Sequence, residues 1–345
     1  MHRICSSLQS IGHNILLVGV ERKDSDPLEV QHFRQKRLNC FFQKGPVFYF
    51  EYNIRLLLFL LFQPCDAICA IDLDTILPVL IASVFRGKKR VYDAHEYFTE
   101  QKEVRERPII QWFWKRIENF AVPYFKKGYT VNSQLAHLFK QKYGIEYTVI
   151  RNIQFKYRFE KNDNRLVNKY ILYQGAVNKG RCFEQLIPAM QWVDAPLWIV
   201  GKGNFMDQVK DLIAQYQLSH KVFLKGSILP VPLRIITQQA CIGITLFERE
   251  GVNQYYSLAN RFFDYMMAGT PQLCVDYPLY AEIIANYPFA LLISDLQPKS
   301  IAAALNKLLA DDVLYQNLQN AALDASAVLH WENEAVKLVD FYHKL

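Results

Sequence analysis

No apolar stretch in this 345-residue chain reaches the roughly 18 residues that a bilayer-spanning helix needs. The longest, around Leu56–Phe62, meets Arg55 upstream and stops at Gln63–Pro64. The start also lacks the basic, apolar and small-residue sections of a secretion signal, so a cytoplasmic protein is expected. Cysteine is scarce and odd in number, with seven residues at 5, 40, 65, 69, 182, 241 and 274. Cys65 and Cys69 form the one close pair, and no second pair or histidine cluster completes a zinc site, so reduced, packed thiols are expected. What is present is a globular composition: 51% hydrophobic, 14% aromatic and 21% charged residues exclude disorder and collagen-like repetition. The length suits two domains, each with its own core.

Charge is unevenly placed. Residues 1–152 hold 22 basic and 15 acidic side chains, and residues 153–345 hold 18 of each, so the whole excess of +7 lies in the first half. Either this is solvated surface charge, or one domain turns a face toward something anionic.

Short β-rich apolar runs alternate with helical patterns along most of the chain. Candidate strands are Ile15–Val20, Ala67–Ile71, Arg90–Asp93, Tyr129–Asn132 and Tyr147–Ile150, then Tyr170–Tyr173, Leu197–Val200, Lys221–Lys225, Ala240–Leu246, Gln272–Val275 and Phe289–Ile293. Amphipathic stretches such as Asp207–Gln217 and Ile301–Leu309 lie between them. The alternation predicts an α/β fold of two doubly wound, parallel-sheet, Rossmann-like domains. The polar, turn-rich segment Lys161–Arg165 falls at their junction, so the domains are set at 1–152 and 153–345, the second ending in a C-terminal helix. A cleft between the carboxyl ends of the two sets of strands is the expected ligand site. A helical pattern (Ile4, Leu8, Ile11) precedes the first strand pattern, whereas doubly wound domains usually open with a strand. An opening strand supplied differently, or lost with an upstream piece, is expected.

The segment from Ser257 to Pro271 is the most informative. Ser257 can cap a helix that Gly269 and Pro271 end, and Ser257, Asn260, Arg261 and Asp264 share one face at spacings of three and four. Helix-end amides plus an Arg suit a diphosphate, and a carboxylate further along can take a ribose hydroxyl. An ordinary amphipathic helix with an Arg–Asp pair reads the same way. Gly175, Lys179 and Arg181 sit in a loop between a strand and a helix, a plausible phosphate grip. Gly201 and Gly203 form a similar turn that lacks the third glycine of a dinucleotide fingerprint. His95 and Glu96 close a strand, where they suit proton transfer or the orientation of a hydroxyl; a structural histidine is the plainer reading. Asp72 and Asp74 invite a metal reading, although Asp74 or Thr75 as a helix cap fits better. Ile54–Phe62 and Trp112–Arg116 mix apolar, aromatic and basic residues, which suits either a membrane interface or core helices.

Taken together, Val91–Glu96, Ile171–Ala189 and Ser257–Pro271 resemble the family 4, group 1 glycosyltransferases of the GT-B fold, over nearly the whole chain. The resemblance implies sugar transfer from a nucleotide-diphosphate sugar to an acceptor hydroxyl, with no cofactor and no metal required. Donor contacts would come from the second domain and acceptor contacts from the first. In the family's phosphate grip, Gly175 and Arg181 hold the first Gly and the Lys places, while Ala176 replaces the Arg and Cys182 the second Gly. Asp264 takes the second of the family's paired acidic positions, and Tyr256 stands at the first. Glu248 or Glu250 is then the candidate sugar contact, with Glu250 grouped with His95 and Glu96 as catalytic. His95 fits the family's histidine beside the donor sugar. The expected role is synthesis of a cell-surface polysaccharide or glycolipid on a lipid-linked or polysaccharide acceptor. Peripheral attachment of the first domain to an anionic inner membrane face is one option, and no nucleic acid is implied. A sugar-nucleotide epimerase of the same architecture and a catalytically degenerate binding protein are the alternatives.

Overall fold

The structure, a computed structural model, describes residues 1–23, 25, 27–157, 169–249 and 251–345. The expected junction at Lys161–Arg165 and the candidate Glu250 lie outside the described residues. The chain divides into two compact units. Unit 1 is Met1–Arg151 with Trp331–Leu345, and unit 2 is Asn152–His330. The C-terminal helix, expected in the second domain, therefore belongs to the first. Packing explains the correction. Trp331 and Leu338 are buried with Ile4, Leu8, Val91 and Tyr129. Trp331 Nε1 donates to Ser7 Oγ at 2.9 Å, and the Glu334 carboxylate accepts from the Arg151 backbone and guanidinium at 3.0 and 3.3 Å. With that helix counted, unit 1 holds 24 basic and 18 acidic side chains, against 16 and 15 in unit 2.

Unit 1 opens with the helix His2–Ser10, whose Ile4 and Leu8 are buried as the spacing predicts. Strands β1 (Leu16–Glu21) and β2 (Arg34–Asn39) pair in parallel as one sheet. Strands β3 (Ala67–Ile71), β4 (Lys89–Ala94), β5 (Gly128–Thr130) and β6 (Thr148–Val149) form a second parallel sheet in that order. The helices Gly45–Phe62, Ile76–Phe85 and Pro108–Ala121 share one core with β3 and β4, built on Tyr52, Leu56, Ile68, Val79, Tyr92 and Trp114. Among the described strands, β2 alone escapes the sequence pattern. Its residues Arg-Gln-Lys-Arg-Leu-Asn are largely charged and partly exposed, as suits an edge strand.

Unit 2 carries one six-stranded parallel sheet. Its strands are β7 (Ile171–Gln174), β8 (Leu197–Val200), β9 (Val222–Gly226), β10 (Ile242–Thr245), β11 (Gln272–Val275) and β12 (Ala290–Ile293). The order is β12-β11-β10-β7-β8-β9, so the first strand of the unit is central. Residues of β7, β10 and β11 are buried throughout, because helices cover both sheet faces and leave no alternation of polar positions. All seven cysteines are free thiols, with Cys5, Cys182, Cys241 and Cys274 buried.

Candidate functional site

In unit 2, three segments meet where β7 ends: the loop 175–182, the turn 201–203 and the helix Asn260–Met267. Gly175 sits at φ +123°, and a Cβ there would lie 3.5 Å from Arg261 Nη1. Gly201, at φ +148°, approaches so closely that a Cβ would fall 1.8 Å from the Gly175 carbonyl oxygen. At Gly203 a Cβ would meet the Val177 carbonyl at 2.2 Å. Both glycines of the turn thus exist to let two backbone loops touch, which accounts for them without a third glycine.

Arg261 is the centre of the cluster. It is 6% exposed, donates through Nη1 to the Gln174 carbonyl at 3.5 Å and through Nη2 to the Leu246 carbonyl at 3.3 Å, and leaves Nε without a hydrogen-bond partner among the described residues. Its guanidinium lies 4.5 Å from the Tyr173 ring centroid and 4.4 Å from that of Phe247. Arg181 also stacks on Phe247, at 4.6 Å. Phe247 therefore gathers two cations, which water alone would keep apart. Nothing in the spacing marks Phe247, since an apolar residue after a strand reads as core.

Gln174 ties the helix to the sheet. Its side chain donates to Asp264 Oδ2 at 3.1 Å and accepts from Thr237 Oγ1 at 2.7 Å, while its backbone N–H donates to Tyr265 Oη at 3.2 Å. The expected helix cap shifts by two residues: the helix begins at Asn260, and Ser257 Oγ donates to the Gln254 carbonyl instead of capping it. The N-cap residue is Ala259, whose N–H donates to Tyr280 Oη at 3.0 Å, and no side chain caps the helix. Asn260 is exposed and accepts from Asn152 Nδ2 at 3.3 Å. An uncapped helix N-terminus beside two arginines is a site suited to anions.

Cys182, in the position where the family resemblance calls for glycine, takes the left-handed conformation that favours glycine, at φ +58°. Burial pushes its thiol up, so it packs and does not act as a nucleophile. Lys179 is exposed and borders a groove with Glu184, Asn204, Phe205 and Gln208, apart from the Phe247 stack. Tyr256 packs edge-on against Tyr255, ring centroids 5.0 Å apart.

Unit 1 carries the second cluster. His95 follows β4; its N–H donates to Asp72 Oδ1 at 2.9 Å and its Nε2 lies 3.1 Å from Asp93 Oδ2. Burial alone would lower the imidazole pKa, but the hydrogen bond and charge of Asp93, with the charge of Asp72, hold it above the ordinary value. Asp72 sits at φ +55°, and burial pushes its carboxyl up to about 7. Burial likewise raises Asp74 to about 6. Glu96 is exposed and accepts from Gln101 Nε2 at 2.8 Å. Neither Asp74 nor Thr75 serves as the expected side-chain cap; Thr75 Oγ1 instead donates back to the Ile71 carbonyl at 2.7 Å. Among the described residues, no group of three or more His, Cys, Asp or Glu side chains is placed to hold a metal ion.

Comparison with known proteins bears on the fold. A model of the glycosyl transferases group 1 family matches residues 154–324, all within unit 2. An uncharacterized glycosyltransferase of Methanocaldococcus jannaschii is 26% identical over 181 residues; the alignment spans 50% of this chain and 44% of that protein. The sucrose-phosphate synthase of Thermosynechococcus elongatus superposes with a TM-score of 0.78 at 17% identity, over 99% of this chain and 91% of that one. WaaG, a glycosyltransferase involved in lipopolysaccharide biosynthesis, gives 0.75 at 14% identity, over 98% and 93%. Anabaena HepE, solved in complex with UDP, gives 0.73 at 12% identity, over 96% and 100%. These structures establish an α/β fold with parallel sheets whose neighbours are GT-B glycosyltransferases. The epimerase alternative draws no support from them. The match to glycosyl transferases group 1 thus lies in unit 2, and the fold is shared with GT-B glycosyltransferases.

Proposed function

We propose that this protein belongs with the family 4 enzymes and moves a sugar, most simply a hexosyl group, from a nucleotide-diphosphate donor to a hydroxyl of a lipid-linked or polysaccharide acceptor. Cell-surface glycan synthesis on the inner face of a membrane is the proposed setting, with no metal needed. The single observation that carries the donor reading is Arg261: a buried cation with an unpartnered Nε, stacked with Arg181 around Phe247, beside an uncapped helix N-terminus. The complex of HepE with UDP is consistent with such a donor.

In this reading the donor diphosphate takes hydrogen bonds from Arg181, Arg261 and the amides of Asn260 and Arg261, and Asp264 accepts from the ribose. As the bond from the anomeric carbon to the diphosphate oxygen breaks, positive charge builds on the sugar and negative charge on the leaving group. Fixed donors aimed at that oxygen stabilise the transition state without reorganisation. The acceptor oxygen bonds to the anomeric carbon as the carbon–oxygen bond to the diphosphate breaks, and its proton passes to the departing diphosphate. His95, held toward its protonated form by Asp93, is the hydrogen-bond donor that unit 1 offers. Glu248, whose N–H bonds to the Gly180 carbonyl at 3.1 Å, brings a carboxylate beside the loop.

A thermal-shift screen over UDP-, GDP-, ADP- and dTDP-sugars tests the donor assignment. A ligand at 100 times its Kd stabilises the folded state by about 2.7 kcal/mol. At least one nucleotide sugar should raise the melting temperature; no shift with any of them would remove the reading.

A further inference from the structure

We propose that unit 1 docks on an anionic lipid bilayer through the outward face of the helix Gly45–Phe62. The inference rests on the membrane setting proposed above and names the surface responsible. The helix has two apolar faces. Phe48, Tyr52, Leu56 and Leu60 repeat every fourth residue and are buried in the core. Phe50, Ile54, Leu58 and Phe62 repeat with the same spacing two positions on, about 200° around the helix, and are all exposed. Phe50 is 70% exposed and Phe62 82%. A surface helix normally turns charge toward water on that side; here the outer row carries none.

Segments packed against the helix expose further apolar side chains. The Glu51 carboxylate accepts from the backbone N–H groups of Phe41 and Phe42, both at 2.9 Å, and from Arg55 Nε at 2.7 Å. This one acidic side chain is thereby satisfied while pinning two exposed phenylalanines beside the helix, and Arg55 stacks on Phe41 at 4.9 Å. The helix Ile76–Phe85 packs on it and ends in exposed Val84 and Phe85. The helix Pro108–Ala121, joined through a Tyr49–Trp114 ring contact, exposes Ile109, Trp112, Phe113 and Phe120. The same elements carry exposed cations: Lys44 is the N-cap residue of the first helix, Arg107 that of Pro108–Ala121, and Arg116 lies on the latter. Arg116 lies over the Trp112 ring at 5.2 Å.

An apolar face edged by Lys, Arg and Trp matches the region between lipid headgroups and acyl chains, where apolar side chains insert and cations meet phosphates. Contrary to the expectation from the sequence, the helix is 18 residues long and apolar enough to cross a membrane by length and composition. Spanning would strip Phe48, Tyr52, Leu56 and Leu60 from the core, so the helix lies along the surface.

Co-sedimentation of the full chain with vesicles tests this. Wild type is expected to bind vesicles containing 30% phosphatidylglycerol, at least tenfold more weakly to pure phosphatidylcholine, and more weakly again in 0.5 M salt. The double variant Phe50→Glu/Phe62→Glu should lose at least tenfold in vesicle binding while keeping the wild-type melting temperature and nucleotide-sugar shift. Absence of wild-type binding, or full binding by the variant, overturns the proposal. So does a lipid-free dimer, seen by sedimentation velocity, that the same two substitutions dissociate. Vesicle binding without any nucleotide-sugar shift would retain the docking face and remove the donor reading; the reverse pattern does the opposite.

Discussion

The two units meet the same architectural problem with different sheets. Unit 2 has six strands in one sheet, with its first strand, β7, between β10 and β8. Unit 1 divides its strands into β2-β1 and β3-β4-β5-β6, and among the described residues β1 has no strand partner besides β2, nor β3 besides β4. The two orders correspond, with the central place filled by β7 in unit 2 and by no described strand in unit 1. The consequence is visible in burial: every residue of β7 and β10 is buried, whereas every residue of β1 is half-buried. A continuous sheet holds two loops so close that no side chain fits at Gly201 or Gly203. A divided one leaves unit 1 leaning on its helices and on aromatic contacts such as Tyr92 with Phe125 and Phe139.

Alanine substitution at equivalent-looking glycines should separate the units most sharply. At Gly243, in β10, a Cβ would fall 2.4 Å from the Tyr265 ring, itself buried and hydrogen-bonded to the Leu172 carbonyl at 2.8 Å. Gly243→Ala is expected to destabilise unit 2 by about 3 kcal/mol, measured by urea unfolding; an unchanged midpoint would show that the sheet is looser than described.

The Asp72–His95 pair gives an intermediate effect, with a pH signature confined to unit 1. Asp72 holds its proton up to about pH 7 in the folded chain but only to about 3.8 when unfolded, so the folded state binds the extra proton between those values. Stability from this group therefore falls as pH rises through that window. His95, raised above its ordinary value, adds in the same direction: its contribution is present at low pH and lost as pH climbs past its folded pKa. Asn tolerates the left-handed backbone at position 72 and can still accept from the His95 N–H. Asp72→Asn is expected to gain about 2 kcal/mol at pH 8 and little at pH 5. Equal gains at both pH values, from parallel thermal melts, would detach Asp72 from the cluster.

Gly19, in β1, is the weakest case and runs the other way. A Cβ there meets nothing within 4 Å. Gly19→Ala should therefore leave stability unchanged or raise it by about 0.5–1 kcal/mol. A loss comparable to that at Gly243 would mean that unit 1 is packed as tightly as unit 2.

The same contrast governs how much was legible in the sequence. Strands buried on both faces, such as Leu197–Val200 and Gln272–Val275, read directly because burial forbids polar residues. The charged strand β2 did not, since an edge strand borrows its pairing from a neighbour and shows no apolar run. Residues at the carboxyl end of β7 came together largely as their spacing implied: Gly175, Arg181, Arg261 and Asp264 all gather around Gln174 and Phe247. Two features stayed hidden for a physical reason. Phe247 acts through its ring faces, which no local pattern reports. Trp331 packs with Ile4 and Val91 across more than 200 residues of chain, so its helix looked like the end of the second domain.

The central claim is that Arg261 and its neighbours hold a nucleotide diphosphate. Isothermal titration of UDP, GDP, ADP and dTDP into wild type and Arg261→Gln tests it most directly, with thermal melts of both proteins to confirm folding. The account predicts that one of these nucleotides binds the wild type and that its affinity falls at least about tenfold in the variant. Equal affinity in a folded Arg261→Gln protein, or no binding of any nucleotide to the wild type, would contradict it.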